Sequence, residues 1–398
     1  MKQQINNKQT ESDKIPEDWS LTSIGSLVST ISKTFDFSKC NQVVFLNTSD
    51  VLEGKVLLHD KITTIGLPGQ AKKSIQKGDI LFSEIRPKNK RYAFVDFKAD
   101  DYVVSTKLMV LRTNEKVSSK YFFIYLTSDP ILDRLQLLAE SRSGTFPQIT
   151  FAEVSSLDIA LPPLPTQNQI ADFIELIDRK LELNRMMNKT FEEMGCIFFN
   201  KLNSEKTSKR VEIIDFVELN PKEELRKGND ARHVEMKDLP KEGMWTSSDV
   251  VKSYKGGSKF RNGDTLMARI TPCLENGKSA FIGFLDEGEL AFGSTEFVVL
   301  RTKNKVFEEY LYYLVRNETF RDFAIKSMVG SSGRQRVQID AIQHYQLSLP
   351  SNNSIEKFHT LMEPIFNQIK ANSLENIKLA SIRDLLLPRL MSGRLKVN

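Results

Sequence analysis

Cysteine is nearly absent. Across 398 residues only Cys40, Cys196 and Cys273 occur, an odd number with no CxxC pair, so no disulfide framework is implied. Histidine is almost as rare, and His59, His233, His344 and His359 show no HExxH or Cys–His spacing, which argues against a zinc site. His344 and His359 read instead as surface or interface residues. No window approaches the roughly 18 uninterrupted apolar residues that a membrane span requires. The opening MKQQINNKQTESDKIPEDW is polar and has no apolar core of a signal peptide. A soluble, cytoplasmic protein is expected. Glycine-rich cofactor loops are missing as well. GKS at 277–279 resembles the end of a phosphate loop, but Pro272 stands where that motif needs glycine. No metal and no cofactor are expected.

What is present is repetition. The length exceeds one ordinary core, so two domains are the natural expectation. GDILFSEIRPKNKRYAF (78–94) returns as GDTLMARITPCLENGKSAF (263–281), with Gly263 lying 185 residues after Gly78. STKLMVLRT (from 105) returns as STEFVVLRT (from 294), and SGTFPQITFAEVSSLDIALP (143–162) as SGRQRVQIDAIQHYQLSLP (332–350). A period this long indicates a duplicated domain, since solenoid units run about 20 to 50 residues.

Each copy ends in a seam of heptad spacing. In the first, Ile170, Ile174, Ile177, Leu181, Asn184, Asn188, Phe191, Gly195, Phe198 and Leu202 follow steps of four and three. The second seam, 188 residues on, runs from Phe358 to Leu390 and repeats both asparagines as Asn372 and Asn376. A helix over 170–202 would be roughly 50 Å long, and needs a partner along its apolar stripe. Antiparallel pairing of the copies would set Asn184 against Asn376 and Asn188 against Asn372, where buried asparagines fix register at some cost in stability. Pro364 predicts that the second helix begins or restarts near Glu363. Met186 and Met187 read as helix packing.

Before each seam the pattern is mixed α and β. QVVFLNTSDV, GDILFSEI, YAFVDF and LMVLRT favour strands. SSKYFFIYLTSDPILDRLQLLAES and FEEYLYYLVRNETFRDFAIKSM favour helices, with Ser118 or Ser119 as N-cap. Polar NSEKTSKR (203–210) marks a boundary between the copies.

Basic residues gather at matched places. Lys72, Lys73, Arg86, Lys88, Lys90 and Arg91 fall in one stretch of the first copy, and Lys259, Arg261, Arg269 and Lys278 in the corresponding stretch of the second. The polar segments before the last strand add Arg142 and Gln148, then Arg334, Gln335 and Arg336. Duplex DNA is held by lysine and arginine on phosphates and read by arginine, asparagine or glutamine on base edges. The alternatives are a solvated charged face and, for Gln148 and Gln338, an ordinary turn.

The order of parts resembles the specificity subunit of type I restriction–modification systems over residues 17–398. The resemblance rests on LPPLPTQNQIADFIELIDRKLELNRMMNKTFEEM (161–194), similar to that family's central conserved region, and RDLLLPRLMSGRL (383–395), similar to its C-terminal signature. It implies an α+β fold with two duplicated α/β target recognition domains and two long antiparallel coiled-coil helices about a pseudo-two-fold axis. The implied layout is a polar tail over 1–16, recognition domains over 17–163 and 207–351, and long helices over 164–206 and 352–398. It further implies a non-catalytic subunit in which each domain reads one half of an asymmetric, bipartite duplex site. Half-site centres would lie roughly 34 to 36 Å apart. The helices would set that spacing and dock methyltransferase subunits, two by symmetry, with restriction subunits in the full complex. No adenine-methyltransferase tetrad or helicase box is found in this chain, so catalysis would come from those partners. After Pro350 the second copy lacks the PPLPTQNQIA of the first, which bears on whether the two docking surfaces are equivalent. A scaffold without DNA, joining two partners through paired helices, and a modification-only system without nuclease are the competing readings.

Overall fold

The computed structural model describes residues 15–142, 145–204, 209–331 and 333–397. Most of the expected N-terminal tail, and residues 205–208 of the polar boundary, lie outside the described residues. The chain divides into two compact units, Met1–Asp178 with Ser381–Asn398, and Arg179–Ala380. Both cuts fall inside long helices.

Each unit carries one copy of the same β framework. In the first, an antiparallel sheet takes the order Val28–Thr30, Leu108–Thr113, Ile80–Ser83, Tyr92–Phe94. The second repeats it with Val217–Leu219, Phe297–Thr302, Thr265–Ala268 and Ser279–Phe281. The inner strands Ile80–Ser83 and Thr265–Ala268 are buried at all four positions, which is why they read as continuous apolar runs rather than as an alternation. A second, mixed sheet sets Gln42–Leu46 parallel to Tyr102–Ser105, and Asp230–Val234 parallel to Ala291–Gly293. A two-stranded ribbon closes each copy, Ser20–Ser23 with Asp158–Leu161 and Lys209–Glu212 with Gln346–Leu349.

Helices α1 (Ser119–Leu126), α2 (Asp129–Arg142) and α3 (Phe151–Ser155) complete the first copy and lead into α4 (Leu164–Asn203). The second copy has α5 (Glu308–Arg316), α6 (Glu318–Lys326) and α7 (Ile339–Gln343), followed by α8 (Asn352–Met391). Ser118 occupies the N-cap of α1, but its side chain makes no capping bond. Its backbone N–H donates instead to Gln167 Oε1 at 2.8 Å, while Gln167 Nε2 donates to the Pro162 carbonyl at 2.8 Å. Buried Gln167 thereby ties the start of α4 to the start of α1. The matching residue in the second copy is apolar Ile355, also buried. Part of the difference in the motif after Pro350 is therefore an internal packing exchange.

Helix α8 does not restart near Glu363: it runs through Pro364 without a break. Proline removes one i→i−4 bond. Phe358, Met362, Phe366 and Ile369, seated in the core of the second unit, hold both sides of the gap in place. Within that unit α4 and α8 are antiparallel. Asn184 Nδ2 donates to Asn376 Oδ1 at 2.9 Å, and Asn372 Nδ2 to Asn188 Oδ1 at 2.8 Å. Lys180 pairs with Glu375 at 3.1 Å beside them. In the first unit Arg383 meets Asp178 at 3.0 Å, and Leu390 joins Ile170 and Ile174 in the core.

Gly195 marks a close approach on α4. A Cβ there would lie 2.0 Å from the Tyr313 hydroxyl oxygen and 2.6 Å from Met362 Cε. The packing expectation for the methionines does not hold, since Met186 and Met187 are exposed. His359, expected at the surface or an interface, joins α8 to α5. Its side chain is 16% exposed, with Nδ1 2.7 Å from Glu309 Oε2.

Candidate nucleic-acid interface

The repeated Gly-Asp begins with backbone geometry. Gly78 and Gly263 sit at φ +93° and +88°, a region that side chains strain to enter. The turn points the next residue inward, so Asp79 and Asp264 are fully buried. Arg112 donates to Asp79 through Nε at 2.7 Å and Nη2 at 2.8 Å, and Arg301 donates to Asp264 through the same atoms at 2.6 and 2.7 Å. The backbone N–H groups of Gln76 and Arg261 add a further bond each, both 2.8 Å. A buried charge is tolerable only when paired and hydrogen-bonded in this way. The two arginines come from the repeated LRT, so two separated parts of the motif encode one ion pair. That pairing was not anticipated from sequence, although the joint recurrence of GD and LRT was its signal.

Downstream of each clamp the two candidate stretches come together. Arg86 N–H donates to the Pro147 carbonyl at 3.1 Å and Ile149 N–H to the Glu84 carbonyl at 2.9 Å. In the second copy Thr271 N–H donates to the Gln335 carbonyl at 3.1 Å and Val337 N–H to the Arg269 carbonyl at 2.9 Å. Residue bridges Ile85–Gln148 and Ile270–Arg336 complete the match. The polar loop before the last strand is thus laid along the chain that leaves the Gly-Asp strand, twice.

The candidate side chains differ in what they already hold. Lys73 is a structural group: its Nζ donates to the carbonyls of Thr106 and Leu108 at 3.2 and 2.8 Å, and burial lowers its pKa. Arg91 likewise braces the carbonyls of Ser49 and Val51, and Lys278 that of Met236. Lys259 donates to the Glu223 carbonyl at 2.6 Å and stands 5.1 Å over the Tyr254 ring. These four are engaged in the fold. Lys88 pairs with Asp133 at 2.8 Å, Lys90 with Asp129 at 3.8 Å, Arg142 with Glu153 at 2.7 Å and Arg261 with Glu223 at 3.9 Å. Arg269 and Arg336 share Glu296, at 3.1 and 2.7 Å, and the Arg336 hydrogen bond holds that carboxyl below its usual range. Lys72, Arg86 and Arg334 are exposed, Gln148 and Gln335 half-buried, and none of the five has a side-chain partner among the described residues.

In the second copy, Lys222, Lys259 and Arg269 line a cleft of about 590 Å³ together with Glu223. No group of three or more histidine, cysteine or acidic residues is placed to hold a metal among the described residues. No described helix is long and apolar enough to cross a membrane.

Residues 16–193 match the family model of the type I restriction modification DNA specificity domain. The chain is similar to the specificity subunits of type I restriction–modification systems. It is 50% identical over 184 residues to the type I restriction enzyme HindI specificity subunit of Haemophilus influenzae, a match spanning 46% of this chain and 40% of that one. It is 20% identical to the MjaIX specificity subunit of Methanocaldococcus jannaschii across 98% of this chain and 96% of the other. The solved S subunit of a type I system from M. genitalium shares the fold, with a TM-score of 0.57 at 14% identity and 98% coverage of both chains.

Proposed function

We propose that this chain selects the DNA sequence on which a type I restriction–modification complex acts, and does no chemistry itself. Residues 17–163 and 207–351 each read one half of a split, asymmetric duplex site. The long helices set the separation of the halves and dock methyltransferase subunits, one for each copy, and restriction subunits join the full complex. The observation that carries this reading is the repeated convergence of two polar, basic stretches at one place in each copy, on a common frame but with different side chains. A common frame gives both copies the same approach to a groove. Different side chains make the half-sites differ. Exposed Leu183, Met187 and Met194, at seam spacing on α4, offer an apolar stripe on which a partner could close.

The deciding experiment maps N6-methyladenine across the host genome with and without this chain. Loss of methylation at one split motif of fixed spacer is the expected result. If no adenine methylation depends on the chain, duplex binding by the purified complex decides between DNA reading and a scaffold. Neutralising Lys72, Arg86 and Arg334 should then weaken binding with assembly intact, whereas a scaffold would be indifferent.

A further inference from the structure

The two copies agree in frame but not in charge at the point where the polar loop meets the strand end. Glu84 of the first copy and Arg269 of the second hold the same place: each carbonyl accepts the N–H of a residue just ahead of α3 or α7, Ile149 or Val337, at 2.9 Å. Their neighbours across the bridge are Gln148 and Arg336. A third matched position reverses sign as well. Glu84 N–H donates to the carbonyl of Lys107 at 3.4 Å, and Arg269 N–H to that of Glu296 at 3.0 Å. The first copy therefore places a carboxylate, an amide and an exposed lysine where the second places a guanidinium, a second guanidinium and a carboxylate.

The charges are exchanged as pairs, Glu84 lying near the Lys107 ammonium where Arg269 is ion-paired to Glu296. The Glu84 carboxylate is half-buried and accepts no hydrogen bond among the described residues; burial raises its pKa, and the nearby Lys73 and Lys107 ammonium groups offset this only in part. Unlike those of Asp79, which Arg112 clamps, its oxygens keep their acceptor capacity for a further donor. In the second copy Glu296 brackets Arg269 and Arg336 together, so one guanidinium can leave while the carboxylate keeps the other. A carboxylate only accepts, and on the major-groove edge the exocyclic amines of cytosine and adenine are the donors; a guanidinium only donates, and guanine O6 and N7 are the matching acceptors.

We propose that Glu84 and the Arg269–Arg336 pair are specificity-determining residues of opposite polarity, Glu84 taking a base amine in one half-site and a guanidinium of the pair taking guanine in the other. This rests on the DNA-reading function proposed above. The test is selection by the full chain from duplexes bearing two randomised windows, each variant first being matched to the parent in thermal unfolding. The parent should enrich a base-specific pattern in both windows. Glu84→Ala should flatten one cytosine or adenine position in one window by roughly 5- to 150-fold and leave the other window unchanged. Glu84→Gln separates the two amines, because glutamine keeps or gains adenine and loses cytosine. Arg269→Ala with Arg336→Ala should flatten guanine in the opposite window only. If the alanine variant at Glu84 fails to fold, the glutamine variant still decides for a cytosine, and Glu84→Arg, expected to turn the position to guanine, decides for either amine. Unchanged base preferences in the Glu84 variants, or a shift in affinity shared by all duplexes, would overturn the assignment while DNA reading stands. A folded parent chain that enriches no sequence would overturn the DNA-reading function, and this assignment with it.

Discussion

Asp79 and Asp264 show how a single residue type does framework work in a protein whose visible charges suggest a surface role. Removing one partner of a buried pair strands the other in a low-dielectric site, at a cost of about 3–5 kcal/mol. Asp264→Asn should therefore lower the urea stability of the second unit by about that amount, while Arg334→Ala, on the exposed loop, should leave it within roughly 0.5 kcal/mol. Glu308 gives a pH dependence of its own. Burial, with Glu309 adding like charge, pushes its carboxyl up to about 7 from an ordinary 4.5. The folded state then holds a proton that the unfolded state has released, so this contribution to stability is complete below pH 4.5 and declines as pH rises to about 7. Glu308→Gln should raise the thermal midpoint at pH 8 and change it little at pH 4.5, as read by calorimetry.

At the scale of elements, the paired helices of the second unit depend on two unlike contacts, one polar and one steric. Asn184→Leu alone leaves the Asn376 amide oxygen without its donor and should lower the thermal midpoint, whereas the double change with Asn376→Leu should recover most of it, because Glu375 keeps Lys180 and the Leu181 carbonyl keeps its helical bond. Gly195→Ala forces a methyl group onto the Tyr313 ring and Met362, and should cost about 1–3 kcal/mol in chemical denaturation. Much of this level was legible in sequence, since seam spacing and the recurring asparagines survive as local patterns, and the strand runs carry their own β-branched signature. What was not legible depended on distant partners. Pro364 reads as a helix break until the aromatic packing on either side is known, and the exposure of Met187 follows from where α8 lies. The split of basic residues into braces and open cations turned on carbonyls that only the fold brings near, such as those of Thr106 and Leu108 for Lys73.

For the whole molecule, that split would govern how the proposed duplex affinity responds to salt. Each cation that meets a phosphate contributes about 0.9 to the slope of log affinity against log salt. Lys72→Ala and Arg86→Ala should each reduce that slope by about 0.9, a change measurable by fluorescence anisotropy over a salt series, while Lys73→Ala should destabilise the fold without altering the slope. The bracket of Glu296 around Arg269 and Arg336 has a further consequence, in time rather than in energy. Unpartnered Lys72, Arg86 and Arg334 can meet a duplex as fast as it diffuses in, but a guanidinium already committed to a carboxylate must first let go. In the proposed DNA-reading role, encounter and recognition would then be separate events, and the chain would test many wrong sites on the first before committing to the second.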